Sequence, residues 1–259
     1  MGHIRLGRLP RTQSWNQVAA ALAMADPSTN MVASTTAWAA DHRLSQLKSD
    51  PSLTYCVWLL TRIASAARRP DFLDAIGDLG LDARPGDSAV GFVARVAVRA
   101  REEVERHPES GPFGDLAALA LRRALTETVG SEGTSLFGAS VEDLERAVRR
   151  HTTPARFGEL AVRFFGDFTA RILRFYVDKE LSFHVGPGHG IETIENSATF
   201  VADLDRYARQ SARIVEDYAA NWYSKHDWES GGAIGREEVQ RFLPLAIRKL
   251  RRELKEPAR

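Results

Sequence analysis

The sequence holds a single cysteine, Cys56, among its 259 residues. This excludes an internal disulfide and any zinc site built on several cysteines, and it fits a reducing compartment. Long apolar runs are missing too. The longest, "YCVWLLTRIASAA" at 55–67, is broken by Arg62 and falls short of the roughly 20 residues that a membrane-spanning helix needs. No charge of one sign dominates: 35 basic residues face 34 acidic ones, for a net +1. No overall field therefore drives the molecule onto a polyanion, and a nucleic-acid site has to be local. The opening "MGHIRL" lacks the pattern of a secretory signal, and Leu6 stands where a myristoylation motif wants Ser or Thr. The expected address is the cytoplasm. Motifs for a serine-hydrolase elbow, a zinc protease or a kinase are absent.

Alternating strand patterns are also scarce, whereas helical signals recur from end to end. "SWNQ" at 14–17 fits a capping box, and a second helix is expected over 30–48. Asp50 followed by Pro51 signals the start of an apolar helix running to about Arg68. Val90, Val93, Ala97, Ala100 and Val104 step along one face of the next long helix. "HPESGPFGD" at 107–115 gathers proline and glycine and marks the expected boundary between lobes; "SVED" at 140–143 reads as a further capping box. Thr153 and Pro154 open a run to about Phe183 striped by Phe157, Leu160, Phe164, Phe168, Ile172 and Phe175. Ile194, Val201, Ala208, Val215 and Trp222 then repeat every seven residues. The expected fold is all-α: a multi-helix bundle with lobes at 1–110 and 111–259 and a long antiparallel pair at 154–183 and 193–226.

One stretch comes near a recognisable chemical device. "DWESGGAIGREE" at 227–238 resembles an EF-hand loop, with Asp227 at the first ligand position, Gly232 at the sharp turn, Ile234 after it and Glu238 as the twelfth, bidentate ligand. Glu229 is longer than the usual third ligand, and Gly231 supplies no side chain at the fifth. With the Ala233 carbonyl this makes about five protein oxygens where calcium takes six to eight. The competing reading is a glycine turn before a helix whose acidic first turn complements the dipole, and no cofactor is expected on that reading.

Other constellations are weaker. "HVGPGHG" at 184–190 has neither the lysine of a phosphate loop nor a preceding strand, and reads as a helix connection, although His184, His189 and Glu192 are candidate metal ligands. Arg101 with His107, and Arg146 with His151, resemble the Arg/His signature of HEPN-type ribonucleases, which implies histidine as a general base. Chance spacing explains both pairs equally well, given 30 arginines and 7 histidines. Cys56 lies in the most apolar helix, which suits a buried structural thiol.

The ends are basic. Arg5, Arg8 and Arg11 precede the first acidic residue, and Arg248, Lys249, Arg251, Arg252 and Lys255 surround a Leu243, Ile247, Leu250, Leu254 stripe. These are the candidate partner-binding residues, for an acidic protein surface or a phosphate backbone. Arginine outnumbers lysine six to one, a bias of high-GC bacterial genomes. The reading that follows is a non-catalytic helical scaffold or adaptor subunit of a bacterial multiprotein complex, of the sort carried in phage-defence operons, with a protein partner or a second copy of itself. Its alternatives are a nucleic-acid-binding subunit using the basic termini and a HEPN-like, metal-independent ribonuclease.

Overall fold

The computed structural model describes residues 9–81, 88–130 and 141–256. Arg5, Arg8 and the first residue of "SVED", Ser140, lie outside these. The described chain is all α-helical: α1 (Gln13–Leu22), α2 (Thr29–Ala39), α3 (Asp41–Gln46), α4 (Pro51–Ala66), α5 (Phe72–Gly77), α6 (Ala89–Glu105), α7 (Pro112–Leu125), α8 (Val141–Arg149), α9 (Pro154–Leu181), α10 (Ile194–Ala212), α11 (Glu216–Glu229) and α12 (Arg236–Lys255). Short 3-10 turns and one π turn, Thr126–Gly130, connect some of them.

Start signals work where a side chain meets an orphan amide. Asp50 accepts from the Leu53 amide at 2.7 Å, with Pro51 at the first helical position, and Thr153 caps α9 in the same way ahead of Pro154. The expected cap at Ser14 is displaced: α1 begins at Gln13 behind Thr12, which makes no side-chain capping bond. The expected helix over 30–48 is divided at Ala40, after which α3 turns through a 3-10 segment, Leu47–Ser49, into the Asp50 cap.

α9 is the centre of the bundle. Its 28 residues span about 42 Å at 1.5 Å per residue, and burial extends well beyond the expected stripe to Phe165, Ala170, Leu173 and Val177. Two glycines let neighbours approach its backbone. A Cβ on Gly158 would come within 2.9 Å of the Glu216 carbonyl oxygen, and one on Gly166 within 3.2 Å of the Arg209 Cα. α10 and α11 therefore run back along α9 in the expected antiparallel hairpin, but as two helices with a 3-10 turn at Arg213–Val215 between them. The heptad row is buried at Ala208, Val215 and Trp222, whereas its first member, Ile194, is 84% exposed.

One continuous apolar cluster runs from Leu9 to Leu254 and joins side chains of α4, α7, α9 and α12. The Pro/Gly stretch at 107–115 turns at Gly111 (φ +57) directly into α7, which packs on α4, α6 and α9. Among the described residues no helix is long and apolar enough to cross a membrane.

Candidate functional site

Polar groups in this bundle converge first on four carboxylates, each clamped by side chains of other helices. Glu103 of α6, 3% exposed, accepts from Arg236 of α12 at 2.7 Å and from Arg106 at 3.0 Å, with His107 at 3.8 Å. The Arg236 guanidinium also lies over the rings of Tyr55 (4.8 Å) and Trp58 (5.0 Å) of α4. Asp167 of α9 is met by Arg171 (2.6 Å), Arg123 of α7 (3.4 Å) and Arg209 of α10 (3.6 Å). Asp41 of α3 takes both Arg251 (2.8 Å) and Lys255 (2.9 Å) of α12. Asp227 of α11 accepts from the Ser65 hydroxyl of α4 at 2.5 Å and pairs with Arg68.

The clamp at Glu103 has a pH signature. Burial pushes its carboxyl upward, but the hydrogen bonds and charges of Arg236 and then Arg106 outweigh this and hold it below its ordinary value of 4.5. A depressed carboxyl stabilises the fold above its unfolded value, and that contribution is lost as pH falls through the folded one. Glu103→Gln is therefore expected to cost about 1–2 kcal/mol at neutral pH, an amount reduced by the exposure of the two arginines. In urea titrations the gap from wild type should close as the pH is lowered below 4.5; a gap independent of pH would count against the clamp.

The calcium-like residues are dispersed among such contacts. Asp227 lies inside α11 and faces α4; Glu229 is exposed and 3.9 Å from Lys225; Glu238 turns back to accept from the Gly235 amide at 3.0 Å. The loop itself is a glycine turn, with Gly231 and Gly232 both at positive φ (61 and 83), and Ala233 donates its amide to the Ser230 carbonyl at 3.2 Å. His184 and His189 stand with ring centroids 6.5 Å apart in the α9–α10 connection, and burial lowers the His184 pKa. Among the described residues no group of three or more histidine, cysteine or carboxylate side chains is placed to hold a metal ion. Burial drives the Cys56 thiol well above its ordinary range.

The Arg/His pairs serve separate contacts. Arg101 pairs with Glu105 at 3.8 Å, while His107 meets Glu109 at 3.1 Å; Arg146 pairs with Asp143, while His151 is buried at the α8–α9 corner. The basic C-terminal helix divides likewise. Arg251 and Lys255 are turned inward onto Asp41, with Lys255 also 4.2 Å from the Trp38 ring centroid. Arg248 and Arg252 are exposed, Lys249 is half-buried, and Arg11 is exposed at the other end.

Two kinds of concave surface remain. Between α6 and α7 lies an apolar groove of about 470 Å³, floored by Ala94, Ala97, Val98, Ala118 and Leu119 and rimmed by Arg101, Asp115 and Arg122. Val90 and Val98, on this outer side of α6, are 63% and 59% exposed. On α9, by contrast, arginines of three helices line two hollows, one at the α8–α9 corner and one beside α10. Neither surface is visible in the sequence as a motif, because its residues come from different helices. Val90, expected at the head of the buried stripe of α6, is instead on this exposed side with Val98. No protein-family model matches the chain, and no curated protein or solved structure matches it.

Proposed function

We propose that this chain is a non-catalytic helical scaffold or adaptor subunit that holds a protein partner against the α6–α7 groove. The observation that carries this reading is the groove itself. A row of small side chains, Ala94, Ala97 and Ala118, opens the surface between two helices, with Val98 and Leu119 presented beside it. Small residues let a third helix approach to about 8–10 Å, the ordinary interaxial distance. Two arginines against one aspartate on the rim favour a partner helix with an apolar stripe and acidic flanks. The four inter-helix clamps support the reading by making a frame that keeps its shape while the partner binds.

The test is purification of the tagged chain from its native cells alongside a Val98→Asp variant. The wild-type chain is expected to elute with a partner at fixed stoichiometry, and the variant to lose that partner by at least about tenfold, since a carboxylate buried in an apolar interface costs several kcal/mol. Val98 is exposed in the free chain, so the variant should melt like wild type. Equal retention of the partner would remove the groove from the account. Exact doubling of mass on the groove would make the partner a second copy of this chain.

A further inference from the structure

We propose that the arginines along the outer side of α9 form a second binding surface, a track for the phosphate backbone of a nucleic-acid strand. It is separate from the α6–α7 groove and from the basic termini. Its first part is the α8–α9 corner, a hollow of about 470 Å³ lined by Arg149, Arg150, His151, Thr153 and Arg156, in which Arg149 pairs with Glu145 and Arg156 with Glu159. The start of the 28-residue α9 adjoins it, so the positive end of the helix dipole adds to the potential of the guanidinium groups. The second part is a groove of about 370 Å³ between α9 and α10, where Arg163, Arg206, Arg209 and Arg213 face Glu127, Glu159 and Glu216.

The two hollows adjoin. Arg156 of the corner donates to both carboxylate oxygens of Glu159 in the groove, at 2.8 and 3.1 Å. That pairing neutralises one of the three acids, and Arg123 neutralises a second by donating to Glu127 at 2.7 Å. From Arg156 to Arg163 is about 10 Å along the helix, long enough to face more than one phosphate of a strand. Gly158 and Gly166 bring α11 and α10 close to α9 at either end of this interval, which fixes the groove's width.

Arg163 and Arg213 face each other in this groove. Among the described residues they are exposed and hold no ion pair; Arg11, Arg122, Arg248 and Arg252 are also exposed without one, but no two of those four line a hollow together. An unpaired guanidinium on each wall of a groove matches the forked geometry of phosphate recognition. Adjacent hollows of like charge favour a polymer with repeating anionic groups over one small anion. Its regular phosphate spacing, in turn, suits a nucleic acid better than an acidic polypeptide.

Fluorescence anisotropy with labelled oligouridylate, oligothymidylate and a duplex of about twenty nucleotides, between 50 and 200 mM salt, tests this directly. The full chain is expected to bind at least one probe at low salt. The double variant Arg163→Gln, Arg213→Gln should bind about tenfold more weakly, and its slope of log affinity against log salt should be smaller by about 1.4 to 1.8, two phosphate contacts' worth. Both side chains are exposed, and an unchanged circular-dichroism melt will show that the fold persists. A triple variant at Arg248, Lys249 and Arg252, each to Gln, should bind like wild type. The proposal is overturned if no probe binds at low salt, or if the double variant keeps wild-type affinity and slope. Loss of binding in the triple variant alone, or equal competition by polyglutamate, overturns it as well.

Discussion

Replacing Gly190 by alanine is expected to lower the melting temperature by about 6–12 °C, the shift that about 3 kcal/mol produces in a chain of this size. The cause is steric. An added Cβ would overlap the carbonyl oxygen of Met24 and stand 3.0 Å from its carbonyl carbon and 3.1 Å from the Pro27 Cδ. Backbone in a turn between α1 and α2 cannot swing aside as a lysine end would, so either the turn or the α9–α10 connection has to move. That connection is itself held closed, with Val185 and Ile191 bridged and the Gly186 amide donating to the Ile191 carbonyl at 2.8 Å. The comparison variant is Gly188→Ala. Gly188 has φ +83 but nothing within 4 Å of an added Cβ, so only the left-handed backbone is penalised, by about 1–2 kcal/mol. Thermal melts of the two variants separate the effects: a Gly190→Ala loss no larger than that of Gly188→Ala would mean that the hairpin loop does not seat on the α1–α2 turn.

The second large effect is at Asp227. Asp227→Ala is expected to cost about 2–3 kcal/mol, because the buried Ser65 hydroxyl loses its acceptor and the Arg68 guanidinium loses its pair. Arg68 is 44% exposed in its side chain and rehydrates, which keeps the figure from rising further. The Ser65 hydroxyl also lies 3.3 Å from that of Tyr223, whose own pKa burial pushes up to about 12. Asp227→Asn retains an acceptor for Ser65 and should cost about 1 kcal/mol. The same residue separates clamp from calcium loop. On the clamp reading, neither calcium nor a chelator shifts the wild-type melt, and Glu238→Gln removes only part of the cap at Gly235, about 0.5–1 kcal/mol. A calcium-dependent rise in melting temperature that Glu238→Gln abolishes would restore Asp227 and Glu238 as ligands.

Local signals in the sequence specify the structure where a short-range contact decides the outcome. Asp50–Pro51 and Thr153–Pro154 open helices because the capping oxygen, the free amide and the proline are all within a few residues. The apolar stripe of α9 and its hairpin with the following helix were legible for a similar reason. The break at Ala40 was not, since no glycine or proline stands there and the chain turns to bring α3 under α12, where Asp41 meets Arg251 and Lys255. Contacts separated by more than two hundred residues leave no trace in spacing. Asp227 stands at a ligand position by spacing, an acid before two glycines, and its partners Ser65 and Arg68, about 160 residues away, leave no mark on that spacing. The arginine hollows on α9 were invisible in the same way, being assembled from α8, α9, α10 and the turn after it.

The claim on which the account most depends is that the α6–α7 groove is covered when this chain is at work. Amide hydrogen exchange of the chain, free and in the complex isolated from its native cells, tests it most directly. The expected result is slowed exchange in the complex across 94–101 and 115–122, with α4 and the centre of α9 equally protected in both states. Protection that leaves those two segments unchanged and appears elsewhere would contradict it.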